Sequence, residues 1–161
     1  MSDTIDVRYR YFDASAAVKL VATEAASDVV RAYFEAGGPF YITSPCAVEV
    51  LSVLKVKRFY RNELTEEQYS LATYGFLAHL RSRLKVRGPA LDNSGAFWRS
   101  EELARRYDLD LIDALQLLTI KIENGVGPSK PLLITADDKL AKAARSEQIE
   151  VWDCIHEKAP Q

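Results

Sequence analysis

Short runs of apolar, strand-favouring residues alternate with longer helical patterns along this chain, and that order constrains its fold more than any other feature. The segment "VRYRYF" alternates at period two, with Val7, Tyr9 and Tyr11 on one face, and predicts a first strand. "ASAAVKLVATEAASDVVRAYFEAGG" predicts two short helices broken near Thr23 and stopped at Gly37-Gly38. "PFYIT" is a second strand, after which Ser44 as N-cap and Pro45 at the first helical position open a helix through "CAVEVLSVLKVKRFYRN". Thr65 with Gln68 makes a capping-box pattern ahead of a long amphipathic helix through "EEQYSLATYGFLAHLRSRL". A short strand is expected in "KVRGPALD", a helix from near Asp92 or Ser94 through "EELARRYD", and another through "LDLIDALQLLTIKIENG" ending at Asn124-Gly125. "PLLIT", a helix from Asp137 through Ser146, and "IEVWD" follow. Strands that alternate with helices imply the α/β class, here a three-layer α/β/α sandwich with a mainly parallel central sheet.

At 161 residues, 48% of them hydrophobic, the chain is expected to be a single domain over 1–161 with one sizeable core. The loop "NGVGPSK" is the most linker-like stretch, yet too short to separate domains. A net charge of -2 gives no global attraction to nucleic acid, so such binding requires a local basic patch. No apolar run approaches the ~20 residues that span a bilayer, and "MSDTIDVRYR" lacks the pattern of a signal peptide. A cytoplasmic protein is expected, with Cys46 and Cys154 reduced and no membrane association.

The carboxylates that interrupt apolar patterns carry the functional signal. Glu49 lies within "CAVEVLSVL" and Asp113 within "LIDALQLLTI", where an ionised carboxylate is costly unless a cation or hydrogen bonds offset it. Asp13 follows the first strand, and Asp137 closes Thr135-Ala136-Asp137 after "PLLIT". In a parallel sheet both strand ends point to one crevice, where ligands bind. Four acids around one cavity repel one another unless a divalent cation neutralises them, and an all-oxygen set suits Mg2+ or Mn2+. His79 and His156 are isolated and read as exposed or satisfied residues. Each acid also has a blander role open to it: Asp13 as a helix N-cap, Glu49 and Asp113 as partners of an Arg or a backbone amide.

Asp13-Ala14-Ser15 with Lys19, Glu49 after Ser44-Pro45, Asp113-Ala114-Leu115, and Thr135-Ala136-Asp137 before "KLAKAA" together resemble the PIN domain, most closely the VapC toxins of bacterial toxin–antitoxin pairs. The resemblance spans Tyr11 to Trp152. It implies a Mg2+- or Mn2+-dependent ribonuclease, commonly a homodimer, held inactive by a cognate antitoxin protein. It further implies that Asp13, Glu49, Asp113 and Asp137 are catalytic metal ligands, with Ser15 and Thr135 as supporting hydroxyls. Gln116 departs from the pattern, since many relatives have His after the Asp-Ala-Leu triplet.

Hydrolysis of a phosphodiester needs an activated water and a stabiliser for charge developing on phosphate, both of which a clamped cation supplies. On this reading Asp13, Glu49 and Asp113 hold or orient the principal ion, and Asp137 supports a second ion or positions water. Ser15 either bonds a carboxylate or caps a helix. Lys19 either contacts phosphate or lies on a solvated helix face. Asp138 is the less favoured substitute for Asp137. Asp110, one turn before Asp113, either faces the same crevice or, the blander role, complements a helix N-terminus; Asp92 is a cap, and Glu24 is structural or exposed. Lys55, Lys57, Arg58 and Arg61 with Phe59 and Tyr60, and Arg81, Arg83, Lys85 and Arg87, are two basic segments that bind RNA, receive a partner, or form ordinary surface. Apolar positions between Ala14 and Phe34 and between Cys46 and Phe59 exceed one core face and suggest a homodimer interface. The alternatives are a non-catalytic PIN-like interaction protein and a metal-dependent nuclease acting on DNA.

Overall fold

The computed structural model describes residues 8–89, 91, 94–124 and 130–161. The chain runs through β1 (Arg10–Phe12), α1 (Ala14–Ala17), a 3-10 turn (Val18–Leu20), α2 (Ser27–Glu35), β2 (Phe40–Thr43), α3 (Ser44–Phe59) and α4 (Glu66–Ser82). It continues through β3 (Leu84–Arg87), α5 (Ser94–Tyr107), α6 (Leu111–Asn124), β4 (Leu132–Thr135), α7 (Asp138–Ser146) and β5 (Glu150–Asp153). The sheet order is β3-β2-β1-β4-β5, with every described pairing parallel.

Strand alternation divides the core into two halves. Phe12, Phe40, Ile42 and Ile134 pack against α1 to α4, whereas Tyr11, Tyr41 and Leu133 pack against α5 to α7. Both faces of the inner strands are therefore apolar, the pattern a parallel sheet acquires when helices cover both sides. The result is the α/β/α sandwich expected from the order of elements. Leu133 is fully buried at its centre. Leu133→Ala is expected to cost about 2–5 kcal/mol, measurable as a lower denaturation midpoint with an unchanged slope. No helix among the described residues is long and apolar enough to cross a membrane.

Local chemistry accounts for most element ends. Gln68 N–H donates to the Thr65 hydroxyl at 3.2 Å and Thr65 N–H to Gln68 Oε1 at 2.8 Å, completing the capping box of α4. Gly38, at φ 139° just past α2, packs so closely on Arg10 that a Cβ there would lie 1.8 Å from Nη1. Several boundaries differ from the sequence expectation: α3 stops at Phe59 and not Asn62, and α4 stops at Ser82, leaving Leu84 to open β3. The first strand starts at Arg10, with Tyr9 preceding the ladder and Val7 outside the described residues. Helix α3 begins at Ser44, so its N-cap is Thr43, which makes no side-chain cap bond. The strand passes directly into the helix, and Thr43 already has the extended backbone of a cap (φ -73°, ψ 149°). The expected cap Asp92 and helix stop Gly125 lie outside the described residues.

Candidate metal centre

Parallel pairing gathers the carboxyl ends of all five strands on one edge, and at this edge the chain leaves β1 and β4 toward opposite layers. Diverging connections open a crevice between two adjacent strands. Asp13 directly follows β1, and Asp137 lies two residues beyond β4. Helix α3 carries Glu49 in its second turn and α6 carries Asp113 in its first, and these helices, one from each layer, meet over the edge.

Asp13 is buried, with 3% of its surface exposed. It is the N-cap of α1, accepting from Ser15 N–H at 3.3 Å, but two hydroxyls also converge on the same Oδ2. Ser15 Oγ donates to it at 2.5 Å and Thr135 Oγ1 at 3.0 Å. Ala136 N–H donates to Ser15 Oγ and Asp137 N–H to Thr135 Oγ1, at 2.9 and 3.0 Å. Capping and site organisation are thus one network, and Ser15 serves Asp13 rather than capping the helix itself. The exposed Asp137 caps α7 through Oδ1, which accepts from Leu140 N–H at 2.9 Å. Asp110 does the same for α6, accepting from Asp113 N–H at 2.9 Å.

The acids act on one another. Burial, then the nearby charges of Asp13, Asp110, Asp137 and Glu49, push the Asp113 carboxyl up to about 8. Burial, then Asp13, Asp110 and Asp137, push Glu49 up to about 7. Burial likewise raises Asp13, against the hydrogen bonds that favour its ionised form. All four sequence candidates, together with Asp110, therefore share one electrostatic field. Among the described residues, no three His, Cys, Asp or Glu side chains stand close enough together to hold an ion as placed. The donor chemistry nonetheless fits a hard divalent cation, because the acids are oxygen donors whose charged forms disfavour each other until a cation is present.

A cavity of about 270 Å³ adjoins these acids, lined by Ser15, Lys19, Glu24, Glu49, Lys57 and Arg61 among others. Lys19 is 4% exposed, not on the solvated helix face that the sequence suggested. Its ammonium pairs with Glu24 at 3.0 Å, and Lys57 pairs with Glu24 at 2.5 Å and Glu63 at 2.7 Å. Glu24 is structural, half-buried between two cations that hold its carboxyl below the usual range despite the partial burial. Arg58 and Arg83 are likewise paired, with Glu66 and Glu35, which reduces the basic character expected of both segments. A larger cavity of about 460 Å³ lies on α5 beside Trp98 and Arg105 and has none of these acids in its lining. Asp110, one turn upstream of Asp113, both caps α6 and raises Asp113 and Glu49, so it faces the same crevice as well as complementing the helix N-terminus.

A parallel α/β/α sandwich with acids from four segments at the β1/β4 crevice defines the class of this protein. The chain belongs to the PIN domain family, whose model matches residues 10–146. Solved structures share the fold at low identity. PAE2754 from Pyrobaculum aerophilum is 19% identical, with 86% of each chain covered and a TM-score of 0.58. VapC20 from Mycobacterium tuberculosis, a sarcin-ricin loop cleaving toxin, is 13% identical, with 83% of this chain and 94% of that one covered and a TM-score of 0.60. No curated protein matches the sequence.

Proposed function

We propose that this chain is a Mg2+- or Mn2+-dependent endoribonuclease and the toxin of a toxin–antitoxin pair. The observation that carries the reading is the gathering of Asp13 and Asp137, at two adjacent strand ends, with Glu49 and Asp113, whose carboxyls they push upward, at the switch point of the sheet. Asp13, Glu49 and Asp113 would hold the ion, and Asp137 would orient the attacking water through its exposed carboxylate. The Ser15 and Thr135 hydroxyls both donate to Asp13 Oδ2 and so hold its carboxylate against rotation under repulsion. A bound divalent cation supplies charge neutralisation at the scissile phosphate and a more acidic water. Arg61, the most exposed cation on the adjoining cavity wall, would face the strand's flanking phosphates, while Lys19 and Lys57 are held by Glu24 and Glu63.

The test is cleavage of a mixed-sequence RNA by purified protein. Cleavage is expected with Mn2+ or Mg2+ and none with EDTA, with a matched single-stranded DNA as the competing substrate. Faster cleavage of DNA, or cleavage that resists EDTA, would overturn this reading.

The partners proposed are a cognate antitoxin and a second copy of the chain. Most apolar positions of α1 to α3 are consumed by the core, but Val48 and Phe59 on α3 and Leu71 and Tyr74 on α4 are more than half exposed. Burial of that surface is the driving force for association. Sedimentation equilibrium at micromolar concentration is expected to give a dimer, and a monomer would count against it. A cytoplasmic location belongs to the same proposal.

A further inference from the structure

Gln116 is fully buried on α6, one helical turn beyond Asp113 and on the same side of the helix. Its Nε2 donates to the Phe12 carbonyl oxygen at 3.1 Å, and Phe12 is the residue immediately before Asp13. Because a carbonyl only accepts, this contact settles which end of the amide faces the strand. The other end, Oε1, is buried with no hydrogen-bond partner among the described residues.

An apolar side chain of similar volume would remove the orphaned Oε1 but would take the donor from the Phe12 carbonyl, so the two costs offset. Packing alone therefore gives no reason for an amide here. The hydrogen bond does give one. It ties the helix that carries Asp113 to the strand end that carries Asp13, two carboxylates whose like charges drive those elements apart.

We propose that Gln116 is a positioning residue that holds α6 against the end of β1 and so sets the separation between Asp113 and Asp13, two of the residues that would hold a divalent cation. The inference rests on the metal-centre reading above. Gln116 touches neither substrate nor ion; it acts through the backbone. Apolar contacts between the α5–α7 layer and the sheet, such as Leu117 and Leu133 within the same core half, keep the helix docked without it. Losing the amide should relax the separation without undoing the fold.

The test compares wild type with Gln116→Leu, Gln116→Met and Gln116→His. Mn2+ affinity is measured by isothermal titration calorimetry, and Tm is measured separately in EDTA. The Leu and Met variants are expected to keep Tm close to that of wild type, since the orphaned Oε1 is lost together with the donor to Phe12, while binding Mn2+ about 10-fold more weakly, the scale of outer groups that orient ligands. The His variant, whose ring N–H also reaches a carbonyl, is expected to bind within a few-fold of wild type. Wild-type affinity in the Leu and Met variants would overturn the inference. So would a Tm loss that parallels the affinity loss and is not rescued by His, because that marks a purely structural role. If wild type itself binds no Mn2+, the metal-centre reading fails and this inference fails with it.

Discussion

Asp13→Asn is expected to abolish metal-dependent RNA cleavage, by about 10²–10³-fold or more, while leaving the metal-free protein at least as stable as wild type. The two halves of that expectation have separate causes. Asn caps a helix about as well as Asp, so the Ser15 N–H keeps its acceptor. Its amide oxygen still accepts from the Ser15 and Thr135 hydroxyls. What disappears is a charge buried beside Glu49 and Asp113, whose own carboxyls it pushes upward. Removing it relieves burial and repulsion together, so Tm in EDTA should hold or rise. The same lost charge removes a ligand, so Mn2+ titration should show weakened binding alongside the lost cleavage. EDTA-sensitive cleavage at wild-type rate by the folded variant would discard Asp13 as an essential ligand.

Without a divalent ion, stability should fall as pH rises from 5 to 8.5, the reverse of the usual behaviour of paired carboxylates. Asp113 is pushed from an ordinary value of 3.8 up to about 8, and Glu49 from 4.5 up to about 7. Between the unfolded and folded values the native state binds more protons than the unfolded chain. Their contribution is thus complete below about pH 4 and is lost as pH climbs through 7 and 8, with Asp13 acting in the same direction. Mg2+ or Mn2+ competes with those protons, so its stabilising effect should grow with pH over the same window. Differential scanning calorimetry in EDTA is expected to show Tm dropping by on the order of 5 °C, with Mn2+ restoring most of it at pH 8. A Tm in EDTA that climbs with pH would mean that the acids are not crowded as described.

The alternation of strands and helices was legible because both elements bury apolar faces whose periods differ, and the three-layer sandwich follows from their order. Pairs whose chemistry is local were legible too, such as the Thr65 and Gln68 capping box and the strand-to-acid junctions at Asp13 and Asp137. Lys19 was not legible. A lysine in a helix pattern looks solvated until the fold brings Glu24 against it, and Lys57, 38 residues further along the chain, against that same glutamate. Gln116 was visible in the sequence only as a departure from a familiar triplet. Its burial, its bond to Phe12 104 residues away and its orphaned oxygen exist only once α6 lies across the sheet. Identity and order of the acids belong to the sequence, since Asp13 and Asp137 sit at strand-end junctions and Glu49 and Asp113 interrupt apolar helical patterns. Their coupling belongs to the tertiary structure, because charge interaction depends on distance in space and on burial, and chain position sets neither.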